Sequence, residues 1–240
     1  MGCPWLEAGP QTVVPASDVC PAGLTQVAVS SAAQFASEIN NISGKHLVLS
    51  AGLTVPRFTI SGQDDWCIDA PGGATVLHPG GGDGATIHIE NVDNAGLRGL
   101  TLDGNDGTAT WGLTLSGRFL NDPASNRPVT NFTTANLEIT GQAQGAYHIG
   151  GLGTRNITSI NDYLHDWGYD AQGDGFFAEG FYIGKAQTVH SPTAQTSTSL
   201  IRSSTPTATT AHLASSLTSR TTPVATARSP IRISLARPLA

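Results

Sequence analysis

Charged side chains are scarce in this 240-residue chain, at 12% of all residues, or about half of the usual quarter. Helical bundles and coiled coils carry many charges on their solvent-facing positions, so this scarcity argues against both classes. Long apolar runs are also lacking: none approaches the roughly 18 residues of a membrane span, and no basic-then-apolar leader follows Met1. We expect no membrane span, and for an exported protein the leader would lie outside this sequence.

The end of the chain lacks further residue types. From Lys185 to Ala240 there is no Gly, Asp, Glu, Asn or aromatic residue, whereas residues 1–184 hold all 28 glycines and all 18 acids. The first part has six basic side chains against those eighteen acids, a net charge of −12, and the tail carries +6. We expect a low-complexity, disordered tail, and two origins stay open. The tail is either a Ser/Thr/Pro-rich stalk or a frameshifted end. Its scattered Leu and Ile favour the frameshift.

What the chain does contain is a repeat of short apolar pairs. The two members of each pair stand two residues apart, which places them on one side of a β-strand. Such a strand recurring every 19 to 26 residues is typical of a solenoid, whose coils complete their core by stacking. We predict that the pairs face inward on one sheet. They are Leu47/Leu49, Trp66/Ile68, Ile87/Ile89, Leu113/Leu115, Leu137/Ile139 and Phe181/Ile183, with Ile157 alone between the last two.

The glycines suit the tight turns of such a fold. The segments 99–103 and 112–116 lie only thirteen residues apart, which predicts two faces of one coil joined by a turn at 104–107. Asn136 and Asn156 precede the apolar residues of successive coils. We predict that such asparagines stack at a turn and bond to one another or to the backbone, a structural role.

The N-terminal region predicts a cap for the solenoid. Ser31-Ala-Ala-Gln34 has the pattern of a capping box, and Phe35 and Ile39 share one helical face. A short helix over 31–40 would cover the open end of the core. The chain thus divides into an N-terminal segment with its capping helix (1–44), a body of coils (45–184) and the tail (185–240). The cysteines leave two interpretations open, namely a Cys3–Cys20 bridge or small buried thiols that include Cys67.

Two local motifs carry a resemblance to a known family. Residues 177–184, Phe-Ala-Glu-Gly-Phe-Tyr-Ile-Gly, resemble the Gly-Glu-Gly-aliphatic-Tyr-aliphatic-Gly turn and strand of secreted bacterial β-helix repeat proteins, with Ala178 in place of the first Gly. Residues 162–168 resemble the strand that ends in His-Asp before a long loop. Over about 45–184 the chain therefore resembles the right-handed parallel β-helix proteins of the pectate-lyase-like superfamily.

The resemblance implies an all-β, right-handed parallel β-helix that is secreted or displayed on the cell surface, with polysaccharide as its partner. It assigns no reaction, because this superfamily includes lyases, hydrolases, epimerases and adhesins. The signature motifs of polygalacturonases and of pectate lyases are also absent from the sequence. We expect a monomer that acts on an acidic polysaccharide as a lyase or a hydrolase, or a non-catalytic surface module that binds carbohydrate.

Candidate site residues come from the position between the members of each apolar pair, which points outward. This column would be Cys67, His88, Thr114, Glu138, Thr158 and Tyr182. His88 and Tyr182 are candidates for carbohydrate binding, because they can stack on sugar rings or bond to them. For catalysis the candidates are Glu138 and Tyr182 together with His165 and Asp166, as acid-base groups. The alternative is that all are ordinary solvated residues.

An acidic, glycine-rich stretch predicts a cation site. Asp162, His165, Asp166, Asp170, Asp174 and Glu179 fall within 18 residues of one another. Oxygen ligands on irregular backbone suit Ca²⁺, with Asp170, Asp174 and Glu179 as the first choices. Solvated loop carboxylates are the alternative. The cysteines and histidines have no zinc-motif spacing. The net charge of residues 1–184 also argues against nucleic acid.

Overall fold

The computed structural model describes residues 13–80, 84–116, 128–151, 153–168, 179–184, 189–190 and 195–196. All of them belong to one compact unit, Met1–Ile201, whereas the second unit, Arg202–Ala240, lies outside the described residues. Apart from two short strands, the predicted tail of 185–240 also lies outside them, so its disorder stays a prediction.

Parallel β-strands make up most of the described residues, which confirms an all-β fold. A 3₁₀ turn, Ala16–Asp18, precedes the strands, and one helix, α1 (Ala32–Ile39), follows the first of them. The strands are β1 (Thr25–Val29), β2 (Lys45–Leu49), β3 (Leu53–Pro56), β4 (Phe58–Ser61), β5 (Trp66–Leu77), β6 (Ala85–Glu90), β7 (Val92–Asp103), β8 (Trp111–Ser116), β9 (Val129–Ala135), β10 (Glu138–Thr140), β11 (Gly145–Gly150), β12 (Arg155–Ile160), β13 (Tyr163–Leu164), β14 (Glu179–Gly184), β15 (Val189–His190) and β16 (Gln195–Thr196).

The strands form two parallel sheets. A small sheet has the order β14-β11-β8-β6-β4, and a larger one has eleven strands. Within the larger sheet, β5 and β7 are long and pair with different neighbours along their length, with a register shift between Asp69 and Ala74. We call the part formed by β1, β2, β9, β12, β15 and the first halves of β5 and β7 the first arm. The second arm comprises β3, β10, β13, β16 and the second halves of β5 and β7.

The predicted apolar pairs do fill the core, but not on a single sheet. The first five pairs and Ile157 are at most 2% exposed, and Phe181 and Ile183 pack against them. Leu113 and Phe181 belong to the small sheet, Ile157 to the first arm and Ile139 to the second. The prediction of one common sheet was therefore wrong. A two-residue alternation shows that one side of a strand is buried, but it does not show which sheet the strand joins.

The local turn and cap predictions are largely confirmed. Ser31 caps α1 by accepting a bond from the Gln34 amide, and Phe35 and Ile39 are buried. Residues 99–103 and 112–116 lie in different sheets, with a turn between them.

Both asparagines make bonds of the predicted kinds, Asn156 to another asparagine and Asn136 to the backbone. Asn156 Nδ2 donates to Asn131 Oδ1 (2.9 Å), and both residues have positive φ angles, of 56° and 51°. Asn131 Nδ2 in turn donates to Asp93 (2.7 Å), which extends the ladder by one strand. Asn136 has a different partner, because its side-chain oxygen accepts a bond from the Val14 amide (3.0 Å).

Residues 13–20, which we call the N-terminal strap, cross the outer side of the first arm. The Arg98 guanidinium donates to the Val14 carbonyl (2.9 Å), and Val19 lies against Gly96, where a Cβ atom would overlap the Val19 carbonyl. A disulfide joins Cys20 to Cys67. Both cysteine interpretations were therefore wrong for these two residues, and Cys3 lies outside the described residues. The strap also buries Cys67, so the predicted outward column is not exposed there.

Candidate functional site

Three of the predicted acid-base residues meet on the outer side of the second arm. His165 Nε2 lies 3.0 Å from Glu138 Oε1, and its Nδ1 lies 2.8 Å from Asp166 Oδ2. The imidazole ring of His165 thus bridges two carboxylates. Glu138 lies 27 residues before it in the sequence, and Asp166 is the next residue. We call these three residues the histidine–carboxylate site.

The strands of the second arm position this site. Glu138 begins β10, where it stands opposite Thr101 on one neighbouring strand and Tyr163 on the other. Its flanking residues Leu137 and Ile139 are buried, so alternation turns the Glu138 side chain outward. His165 directly follows β13, and its amide donates to the Ile139 carbonyl (3.1 Å), which continues the parallel pairing.

Further side chains hold the site in place. The Thr101 hydroxyl donates to Glu138 Oε2 (3.0 Å), and the Tyr163 ring stacks on the His165 ring with centroids 4.5 Å apart. The hydroxyl of Thr140 lies 3.3 Å from His165 Nδ1. Asp166 adopts a φ of 51°, a left-handed conformation that Asp tolerates better than most residues and that turns its carboxylate back onto the ring.

The exposed parts of the site are its carboxylates. The side chains of Glu138 and Asp166 are 46% and 43% exposed, whereas that of His165 is 18% exposed. A neutral imidazole has only one N–H, so it can donate to one carboxylate alone. Both hydrogen bonds form together when the ring is an imidazolium, or when one carboxyl is protonated and donates to the ring. These two states differ by the movement of one proton along an existing hydrogen bond. The site can therefore present a carboxylic acid and a carboxylate to a bound molecule.

A second surface lies on the small sheet. Its outward positions are His88, Thr114, His148 and Tyr182, which are in register on adjacent strands. The His148 ring stacks on Tyr182 (5.1 Å) and packs against Trp111 (5.3 Å). We call Trp111, His148 and Tyr182 the aromatic surface.

Histidines border this aromatic surface. Burial, and then the nearby charge of His88, lowers the pKa of His148 to about 4, so His148 is neutral near pH 7. The Nε2 atom of His88 is buried without a hydrogen-bond partner, and it lies 4.0 Å from Glu90. Trp111 and Tyr182, on either side of the buried His148, are partly exposed, and aromatic side chains of this kind are suited to contact with sugar rings.

The predicted site residues thus divide between two surfaces. Glu138, His165 and Asp166 come together, whereas Tyr182 and His88 lie on the small sheet, so the predicted single column was wrong. Asp162 was placed in the acidic loop, but it is fully buried and accepts hydrogen bonds from Thr134, Ser159, Tyr147 and Leu137.

The predicted calcium ligands lie beyond the described side chains. Asp170 and Asp174 lie outside the described residues, and so does the side chain of Glu179, whose backbone begins β14. The calcium site therefore stays a prediction. Among the described side chains, Cys20, His46 and Cys67 bring three ligand-type atoms within 4.8 Å of one another, and the two cysteines are joined by the disulfide.

The residues that support the two surfaces were not predicted from the sequence. Thr101, Thr140 and Tyr163 have no motif, and only knowledge of the strand register would place them beside Glu138 and His165. A signal did exist for His148, because it stands between Tyr147 and Ile149 in the same alternation that marked the other outward residues. Trp111, at the start of β8, precedes its apolar pair by two residues and gave no such signal.

Comparison with known proteins adds no assignment: no family model, no curated protein and no solved structure matches the chain. Within the described part of the chain, no helix is long and apolar enough to cross a membrane.

Proposed function

We propose that this chain is an extracellular, right-handed parallel β-helix protein of the pectate-lyase-like type that cleaves an acidic polysaccharide at the histidine–carboxylate site. Successive strands along the chain belong in turn to the two parallel sheets, and this alternation supports the β-helix. The Cys20–Cys67 disulfide supports an oxidising, extracellular location. The observation that carries the activity is the bridging of Glu138 and Asp166 by His165.

The reaction that this geometry favours is hydrolysis. Cleaving a glycosidic bond takes one carboxylic acid, which protonates the leaving oxygen, and one carboxylate, which activates water or attacks the sugar. Glu138 Oε2 accepts a hydrogen bond from Thr101, and Oε1 accepts a second one when His165 carries a proton on Nε2, which is the tautomer that suits the carboxylate role. Asp166, on the other side of the ring, would then be the acid. His165 passes the proton between them and positions both.

β-Elimination needs a different setting. A lyase must neutralise the uronate carboxylate before a base removes the neighbouring proton. Glu138 and Asp166 are carboxylates, so they do not supply the positive charge that this neutralisation requires. A Ca²⁺ ion held by Asp170, Asp174 and Glu179 would supply that charge. Lyase activity therefore depends on the calcium prediction, whereas hydrolysis does not.

Product analysis on a panel of acidic and neutral polysaccharides, with and without Ca²⁺, tests the proposal. Hydrolysis releases reducing ends without an ultraviolet signal, and elimination also creates an absorbing unsaturated uronate. We expect Glu138→Gln and Asp166→Asn each to lower kcat by about a hundredfold or more, with KM changed only slightly. Thr75→Val, on the same face of the second arm, is the matched control. Full activity in Glu138→Gln would refute the site.

A non-catalytic carbohydrate-binding role is the second candidate, and the aromatic surface favours it. Trp111 and Tyr182 flank His148 on a sheet that does not carry the histidine–carboxylate site. If the protein only binds, Trp111→Ala and Tyr182→Ala should weaken polysaccharide affinity, no substrate should be cleaved, and Glu138→Gln should leave binding unchanged. Isothermal calorimetry on the same panel separates the two roles.

A further inference from the structure

The disulfide of the N-terminal strap lies beside two side chains that can bind metal. The Sγ atom of Cys20 is 3.6 Å from His46 Nε2, and Asp69 Oδ2 is 3.4 Å from the same nitrogen. His46 stands directly opposite Cys67 on the neighbouring strand. One ligand atom each from Cys20, His46 and Cys67 lies within 4.8 Å of the other two.

The two distances from His46 Nε2 are close to two edges of a zinc tetrahedron, whereas the two sulfurs are bonded to each other and would have to separate on reduction. With Zn–S near 2.3 Å, Zn–N near 2.0 Å and Zn–O near 2.1 Å, tetrahedral geometry places S and N about 3.5 Å apart and N and O about 3.4 Å apart. We propose that the reduced cysteines Cys20 and Cys67 form a Zn²⁺ site together with His46, with Asp69 at the fourth position. The strap is then held by a disulfide in an oxidising compartment and by a metal ion in a reducing one.

Charge balance supports both states. In the disulfide form, Asp69 is paired with Arg98 through two hydrogen bonds, of 2.7 and 2.9 Å, so the buried charges cancel. In the metal form, two thiolates and Asp69 carry three negative charges, and Zn²⁺ with Arg98 carries three positive ones. A neutral His46 completes the set. Neither state leaves a net charge in this buried region, which would be costly.

The strap does not depend on the disulfide alone, so the ligands stay close after reduction. Arg98 holds the Val14 carbonyl, the Val14 amide donates to Asn136, and Val19 packs on the outer side of Gly96. Cys67 and His46 are fixed by the pairing of β5 with β2. Only the strap residue Cys20 has to shift as the two sulfurs separate to the spacing of metal ligands.

The conversion needs a two-electron reductant of the dithiol class. The dithiol transfers two electrons and two protons to the Cys20–Cys67 bond, which gives two thiols, and is itself oxidised to a disulfide. When Zn²⁺ binds, the two thiols release their protons to solvent and the thiolates bind the metal. Reoxidation by a disulfide-forming oxidant expels the ion.

Cobalt(II) is the spectroscopic probe for this site, because it replaces Zn²⁺ and its thiolate complexes absorb. The full chain carrying Cys3→Ser is reduced with a dithiol, desalted under nitrogen and titrated with Co²⁺ and then Zn²⁺. We expect a thiolate-to-cobalt charge-transfer band at one equivalent, displaced by Zn²⁺, and no band in the oxidised protein. His46→Gln should lower the affinity for Co²⁺ about tenfold or more. Asp69→Asn should also lower this affinity, but the thiolate-to-cobalt charge-transfer band should remain.

Matched variants keep the test decisive. Cys67→Ser should abolish the band, and circular dichroism of each variant checks that the β-structure remains. His88→Gln, which alters a histidine on the small sheet, should leave cobalt binding unchanged. A reduced, folded protein without the charge-transfer band overturns the proposal, and so does a band that is unchanged in His46→Gln. Neither result bears on the histidine–carboxylate site, which lies in the second arm.

Discussion

The hydroxyl of Tyr147 donates a 2.6 Å hydrogen bond to Asp162, which links the small sheet to the larger one through the interior. Both side chains are fully buried. Thr134 and Ser159 donate to the same carboxylate oxygen at 2.6 Å, and the Leu137 amide donates to the other at 2.8 Å. Burial raises the pKa of Asp162 above its ordinary 3.8, and burial followed by the Asp162 charge raises the pKa of Tyr147 well above 10.

This network predicts a stability that falls as pH rises. Because the folded-state pKa of Asp162 is raised, its favourable contribution is complete below about pH 3.8 and is lost as pH rises through the folded-state pKa. Asp162→Asn cannot ionise and should remove this slope. It should also cost about 1–3 kcal/mol at low pH, since an amide cannot accept all the bonds made to both oxygens. Urea unfolding across a pH series measures both effects, and the exposed Asp106→Asn is the control. An unchanged slope in Asp162→Asn would contradict the assignment.

A charge placed in the core should strongly destabilise the fold. Leu137 is 1% exposed and directly precedes β10, so Leu137→Asp would bury a carboxylate among apolar side chains. We expect a loss of about 3–5 kcal/mol in the free energy of unfolding, measured by thermal or urea denaturation. Val13→Asp makes a matched change at a residue that is 74% exposed, and it should stay within about 0.5 kcal/mol of the parent. Equal losses at both positions would show that Leu137 does not lie in the core.

The amino-acid pattern predicts local structure in this chain better than it predicts assembly. Burial of the apolar pairs, the cap of α1 and the turn after residue 103 depend on neighbours within a few residues, and all three were correct. The sheet to which each strand belongs depends on how the chain bends between strands. The register shift of β5 between Asp69 and Ala74 divides one strand between two arms, and no alternation of residue types signals it.

The candidate sites show the same limit. Glu138 and His165 were chosen separately, for outward position and for a motif, and their 3.0 Å contact follows from the pairing of β10 with β13. The cysteine–histidine group shows this limit of sequence-based prediction more strongly. Cys20, His46 and Cys67 are 26 and 21 residues apart, a spacing without a zinc motif, because three separate segments supply them. Ligand spacing in sequence identifies only sites that are built within one loop or hairpin.

The pairing of Arg98 with Asp69 should dominate the docking of the N-terminal strap. The two side chains are 10% and 5% exposed, so Arg98→Met would leave a buried carboxylate with only the His46 ring beside it. We expect a loss of about 3–5 kcal/mol, and partial recovery in the double variant with Asp69→Asn, which removes the orphaned charge. Arg155→Met, at an exposed position on β12, is the matched control and should change stability little. Denaturant titrations of the four proteins give the coupling energy, and additive losses would contradict a direct pairing.

His148 should give the protein an acid sensitivity opposite in sign to that of Asp162. It is 5% exposed between Trp111 and Tyr182, and its pKa of about 4 lies below the ordinary 6.5. The stability that depends on the neutral ring is therefore complete above pH 6.5 and is lost as pH falls toward 4, by up to about 3 kcal/mol.

His88→Gln should raise the pKa of His148 only partway, because burial is the larger cause and remains. Ring-proton chemical shifts followed by NMR report this pKa directly, and His46→Gln, on the other sheet, should not move it. Titration of His148 near 6.5 in the parent protein would show that the aromatic surface does not bury this ring.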